Sequence, residues 1–205
     1  MQDLYLFPFN GNALEAFDCI SEEYNVLAFI DDDPQKIGTM YQGIPVVDRT
    51  VLQKNKQVKV LAVPGSPTSF KVRKSIIDGL QINPDRFVTI IHPHASVSKY
   101  AKIGRNSLLM AGVVITSNAE IGDHVCILPN SVIHHDTKIG DYTLVSSNVS
   151  IAGYTSIEEN CYIGMGVSII NGISIGKGSI IGLGSHVINS IPPNSKAVGN
   201  PAKLL

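Results

Sequence analysis

From Val97 onward the chain repeats every six residues. Divided into sixes, its first positions are Val97, Ile103, Leu109, Ile115, Ile121, Ile127, Ile133, Ile139, Val145, Ile151, Ile157, Ile163, Ile169, Ile175, Ile181 and Val187. All sixteen are branched aliphatic residues, and no insertion breaks the register before Pro192-Pro193. Fifth positions (Ala101, Ser107, Val113, Ala119, Val125) are mostly small or β-branched, and second positions are often glycine, as at Gly104, Gly122 and Gly140. This period matches neither an amphipathic helix nor a simple alternating strand. It fits a solenoid, in which each repeat stacks like side chains into one continuous core. Six residues make one short flat strand and a corner, and three such sides close a triangular coil, with small fifth residues and glycines fitting the corners. About five coils result, a prism about 25 Å tall at the usual strand spacing.

Residues 1–90 follow a different rhythm, in which strands alternate with helices. "LYLFPF" predicts a strand, "NGN" a turn, and 13–23 a helix. "NVLAFI" predicts a second strand running into Asp31, Asp32 and Asp33; "QVKVLAVPG" predicts a later buried strand, and "SFKVRKSIIDGL" a helix closed by Gly79. Such alternation implies a small parallel sheet, whose ligands would sit beyond the carboxyl ends of the strands. Those ends carry Asn10-Gly11-Asn12, Asp31-Asp32-Asp33 and Gly65-Ser66. Asp31 follows Gly11 by 20 residues, the separation that puts a carboxylate near a ribose hydroxyl in mononucleotide folds. The chain therefore divides into an α/β domain over 1–90 and a mainly β solenoid over 91–205, ending in a tail after Pro192.

Composition narrows the function. The 205 residues are 44% hydrophobic and 16% charged, with a net charge of −1, which suits a globular protein and offers no electrostatic footprint for nucleic acid or an anionic membrane. The N-terminus has no secretory pattern and no apolar run is long enough to span a membrane. Three cysteines, Cys19, Cys126 and Cys161, form no CxxC pair, which fits reduced thiols in a cytoplasmic protein. One hexad stands out for its chemistry: "SVIHHDTKIG" places His134, His135 and Asp136 in a row near a corner of the prism.

The hexads, written [LIV]-G-x-x-[STAV]-x, and the ending "VGNPAKLL" resemble the hexapeptide-repeat acyltransferases of the left-handed parallel β-helix. With "AFIDDDP", "TIIHPHASVS" and the N-terminal α/β domain, the whole chain is most similar to sugar acyltransferases of the sialic-acid O-acetyltransferase and bacillosamine-pathway N-acetyltransferase type. The resemblance implies a homotrimer with its active site between adjacent prisms and acetyl-CoA as co-substrate. It places the catalytic base on His135 and the acid that orients it on Asp136, a pairing suited to proton removal at neutral pH. It implies donor contacts at Gly153, Gly164, Met165, Gly182 and Leu183. The acceptor, a nucleotide-linked amino sugar of surface glycan synthesis, is expected near Asn10, Gly11, Asp31 and Asp32, with His134 a further candidate. O-acetylation of a sugar hydroxyl is the alternative reaction.

The chain departs from the family twice. Many relatives carry a second histidine nine residues after the catalytic one, where this chain has Leu144. Their first loop is glycine-rich and contains a histidine, whereas "LFPFNGNA" keeps only Gly11 and has Asn10 in the histidine's place, which implies an altered acceptor pocket. These departures keep a non-catalytic binding solenoid in view. A zinc enzyme on the same scaffold, of the γ-carbonic anhydrase kind, would need two histidines five residues apart. His124, His134, His135 and His186 provide no such pair, so no metal is expected.

Overall fold

A computed structural model describes residues 1–20 and 22–205. The N-terminal unit is a five-stranded sheet formed by β1 (Gln2–Phe7), β2 (Tyr24–Ile30), β3 (Met40–Tyr41), β4 (Ile44–Val47) and β5 (Lys59–Ala62), in the order β3-β4-β2-β1-β5. All pairings are parallel except β3 with β4, a hairpin that the alternating pattern does not predict; it turns at Gln42-Gly43, both at positive φ. The first helix, α1, covers Gly11–Asp18 rather than 13–23, because Asn10 caps it by accepting from the Ala13 N–H at 3.0 Å. It ends early because the chain must return to lay Tyr24 beside Gln2; Ser21, within the expected span, lies outside the described residues. Helix α2 is the single turn Val51–Lys54, and the expected helix around 70–79 is a 3₁₀ turn at Phe70–Val72 running into α3, Arg73–Asp78.

The solenoid has three faces of short strands, nearly all of two residues, stacked in parallel. The first face holds Ser96–Val97, Val114–Ile115, Val132–Ile133, Ser150–Ile151, Ser168–Ile169 and His186–Val187. The second runs from Lys102–Ile103 to Ser174–Ile175, and the third from Ile90–Ile91 to Lys196–Val198 and the antiparallel Lys203–Leu204. Partners are one coil apart, as in Ile115↔Ile133↔Ile151, so the first residues of the hexads stack in three inward columns, one per face, around a shared core.

The corners differ from expectation in one respect. The residue turning each corner is the fourth of its hexad, at positive φ: Asn106, Gly112, Asn118, His124, Asn130, Asp136, and onward at the same interval to Gly184. Asparagine, aspartate and glycine tolerate that region best, which makes His124, Tyr142 and Tyr154 the unusual members. The second-position glycines turn nothing. A Cβ on Gly104, Gly122 or Gly140 would approach the next coil to between 2.3 and 2.5 Å, so these glycines exist for close stacking.

The N-terminal domain sits on the third face. Outward-pointing Leu108, Met110, Cys126 and Leu144 of that face are buried with Leu4, Leu6, Phe29, Val63 and Phe70 in one cluster. At the corner between second and third faces, buried Asn106 accepts from the Ala62 N–H at 2.7 Å and donates to the Ala62 carbonyl at 2.8 Å, continuing the sheet pairing at the end of β5.

Candidate active site

His135 and Asp136 occupy the corner between the first and second faces. The Asp136 backbone at φ +56, with its N–H donating to the Ser117 carbonyl, lets its short side chain curl back on its neighbour. Asp136 Oδ2 lies 2.9 Å from His135 Nδ1. Asp136 Oδ1 accepts from Asn118 Nδ2, one coil earlier, at 3.1 Å. The bond from His135, then that from Asn118, holds the Asp136 carboxyl below its usual range. An ionised carboxylate only accepts, so Nδ1 donates to it, which in the neutral ring leaves the lone pair on Nε2. The imidazole side chain is 50% exposed.

Two residues one coil later shape the ring's bed. Tyr154 stands edge-on to the imidazole with centroids 5.0 Å apart. At Gly153 a Cβ would come within 2.7 Å of the ring, so the glycine leaves room for it. Gly153, expected at the donor, thus lies directly against the His135 ring. Asn118 and Tyr154 escaped the sequence reading; their signal is the eighteen-residue spacing on either side of Asp136. His134 is exposed beside the pair, on the first face side of the corner.

Gly164, Met165, Gly182 and Leu183 lie on a different corner, between third and first faces, and a single chain does not bring them to His135. The glycines there are explained by stacking, since a Cβ at 164 would meet backbone at 2.7 Å and one at 182 would meet Val198 at 2.5 Å. Met165 and Leu183 are 57% and 82% exposed.

The expected acceptor residues lie on the N-terminal domain, across the prism from His135. A cavity of about 470 Å³ opens at the carboxyl ends of the strands, lined by Asn10, Asp32, Arg49, Gly65, Ser66 and Ser69 among others. Asp32 pairs with Arg49, whose guanidinium also donates to the Gly79 carbonyl at 3.2 Å. Asp31 is turned away: 6% exposed, it binds Lys36 Nζ at 3.0 Å and accepts from the Asp33 N–H. Gly11 opens α1, and a Cβ there would meet nothing within 4 Å, so no protein neighbour demands a glycine. Arg49 and Ser69 were missed because they come from segments with no motif. Leu144, in place of the relatives' second histidine, is buried on the third face against Gly65. Among the described residues no three His, Cys, Asp or Glu side chains cluster closely enough to hold a metal ion.

Comparison with known proteins agrees with this architecture. A profile of bacterial transferase hexapeptides (six repeats) matches residues 100–134 and 118–153, and one of the hexapeptide repeat of succinyl-transferase matches 154–187. PerB from Caulobacter crescentus, solved with CoA and GDP-perosamine, is 26% identical with a TM-score of 0.87, the match covering 100% of this chain and 97% of that one. The acetyltransferase domain of PglB from Neisseria gonorrhoeae, solved with acetyl coenzyme A, is 25% identical (TM-score 0.87, covering 100% and 99%). WeeI from Acinetobacter baumannii is 26% identical (TM-score 0.85, covering 100% of both chains). A search of curated proteins finds no match. With the repeat profiles on its solenoid and full-length structural matches, the chain is built like the hexapeptide-repeat sugar acetyltransferases it resembles, an α/β domain followed by a left-handed parallel β-helix.

Proposed function

We propose that this protein transfers the acetyl group of acetyl-CoA to the amine of a nucleotide-linked sugar. The observation that carries the reading is the full-length likeness to a protein solved with CoA and GDP-perosamine, joined to a histidine whose Nε2 is left free as a base. His135 Nε2 takes a proton from the amine as its nitrogen attacks the thioester carbonyl. The tetrahedral intermediate collapses, the C–S bond breaks, and the imidazolium returns its proton to the CoA thiolate. Asp136 keeps the ring oriented and stabilises its charged form. An acyl-enzyme is disfavoured: burial pushes the Cys126 thiol up to about 12 and the Cys161 thiol up to about 11, so neither is a thiolate at neutral pH.

One chain supplies the base on one corner and the acceptor cavity beyond the third face, so a second copy must close the site. The exposed apolar residues of the coils suggest how. Tyr154, Ile170 and Ile188 project at the corner between first and second faces, and Met165 and Leu183 at the corner between third and first. Both corners border the first face. Three copies with that face inward bring the His135 corner of each against the Met165–Leu183 corner of the next, and these apolar side chains suit the alkyl arm of the donor. The fit comes from the side chains, since stacking already explains the glycines.

A panel of GDP-, UDP- and dTDP-linked amino sugars incubated with acetyl-CoA, read by release of free CoA thiol, tests the proposal. His135→Ala is expected to lower kcat by about 10²- to 10⁴-fold. Turnover undiminished in that variant would refute the assignment of the base.

A further inference from the structure

The turn after β5, Pro64–Ser66, separates two cavities. Gly65 and Ser66 line the 470 Å³ cavity and also a smaller one of about 190 Å³ on the third face, beside Leu144, Ser146 and Tyr162. Gly65 has φ +119, a conformation other residues rarely adopt, and a Cβ there would meet Leu144 at 2.9 Å and Arg73 at 3.5 Å. The turn is thus pressed between the solenoid and the Arg73 side chain.

Arg73 is fully buried, yet among the described residues no carboxylate pairs with it. Its Nη1 donates to the Pro64 carbonyl and its Nη2 to the His124 carbonyl at 2.6 Å, while Nε has no partner. Pro64 belongs to the rim of the larger cavity; His124 belongs to the corner between second and third faces. Burial lowers the guanidinium to about 10, still charged at neutral pH. A buried cation without a counter-ion is a poor stabiliser, and an apolar side chain of similar volume often serves stability as well or better. What an apolar side chain lacks is a rigid fork that joins two carbonyls.

We propose that Arg73 is a positioning residue for the acceptor: it fixes the Pro64–Ser66 turn against the solenoid, so that an acceptor seated in the larger cavity crosses Gly65 and Ser66 and lays its sugar in the smaller one. This rests on the acceptor reading above. The smaller cavity is equipped for sugar hydroxyls, because Ser146 Oγ donates to the Tyr162 hydroxyl at 3.0 Å and leaves the tyrosine its own proton to donate.

Arg73→Met and Arg73→Lys test the role, assayed with acetyl-CoA and GDP-perosamine. Arg73→Met is expected to keep or raise Tm, to increase the acceptor KM by about tenfold or more, and to leave the acetyl-CoA KM within about twofold. Arg73→Lys, which keeps the charge but not the fork, should fall between Arg73→Met and wild type. An unchanged acceptor KM in Arg73→Met, or an equal rise in both KM values, overturns the proposal. If Arg73→Met does not fold, Arg73→Lys decides alone: a raised acceptor KM at wild-type Tm supports the role, and a wild-type KM ends it. Wild-type protein that acetylates no probe would defeat the acceptor reading instead. Hydrogen exchange across 65–69 then still decides on Arg73, since it accelerates in the variants if Arg73 holds the turn and is unchanged if it does not.

Discussion

Alanine at position 153 should damage the chemistry and spare the fold. The added Cβ would lie 2.7 Å from His135 Cε1, 2.8 Å from Nε2 and 3.1 Å from Nδ1, where ordinary contact begins at 3.4 Å. Gly153 itself does not need positive φ, so the backbone accepts alanine without strain. Something must give by about 0.7 Å, and the half-exposed imidazole yields more easily than the stacked coil backbone. Displacing the ring breaks or bends its 2.9 Å bond to Asp136 and moves Nε2 off line. A misplacement approaching 1 Å costs up to about 10²-fold in rate, so Gly153→Ala should lower kcat by about 10- to 100-fold. Thermal melting should stay near wild type, because no core residue is touched. Asp136→Asn disturbs the same orientation, so the double variant should lose less than the product of the two single losses. Thiol-release kinetics and a melting curve on the four proteins suffice. Wild-type kcat in Gly153→Ala, or full additivity with Asp136→Asn, would show that the glycine does not support the base.

Two other outcomes follow from the same geometry. Leu183→Asp, which puts a charge on the most exposed apolar side chain of the coils, should shift sedimentation from trimer to monomer and abolish transfer; a wild-type monomer that turns over would defeat the assembly. Folded protein at pH 8 should resist alkylation at Cys19, Cys126 and Cys161, since burial raises all three thiols above 9.0, to about 11, 12 and 11, whereas denatured protein should label three times. These raised values favour the protonated folded form, so the thiol contribution to stability is whole below about pH 9 and is lost as pH rises through 11 to 12. Rapid labelling of the folded protein, or a trapped acetyl-cysteine, would reopen covalent catalysis.

Period alone determined much of this protein. A six-residue repeat admits one stacking, so Ile133, Ile151 and Ile169 had to share an inward column, and His135 had to stand near a corner with Gly153 one coil beyond it. Side-chain direction in a solenoid is set locally, by the strand and corner of each hexad, and local order is what sequence records. Helix and hairpin details of the N-terminal domain were less legible, because α1 ends where tertiary pairing of β2 with β1 requires it and the β3–β4 turn is carried by Gln42-Gly43 without a strong motif.

Only the tertiary structure decided what each face meets. The sequence places Leu108, Cys126 and Leu144 on one outer column but cannot say that the N-terminal domain covers it, since that burial comes from residues far away in the chain, such as Leu4 and Phe29. It likewise cannot show that the cavity beside Asn10 and Asp32 and the His135 corner lie on opposite sides of one chain. Arg73 was invisible because an arginine in "SFKVRKSIIDGL" looks solvent-facing until the third face closes over it. Burial of a charged group is a property of the packed domains together, and no local pattern announces it.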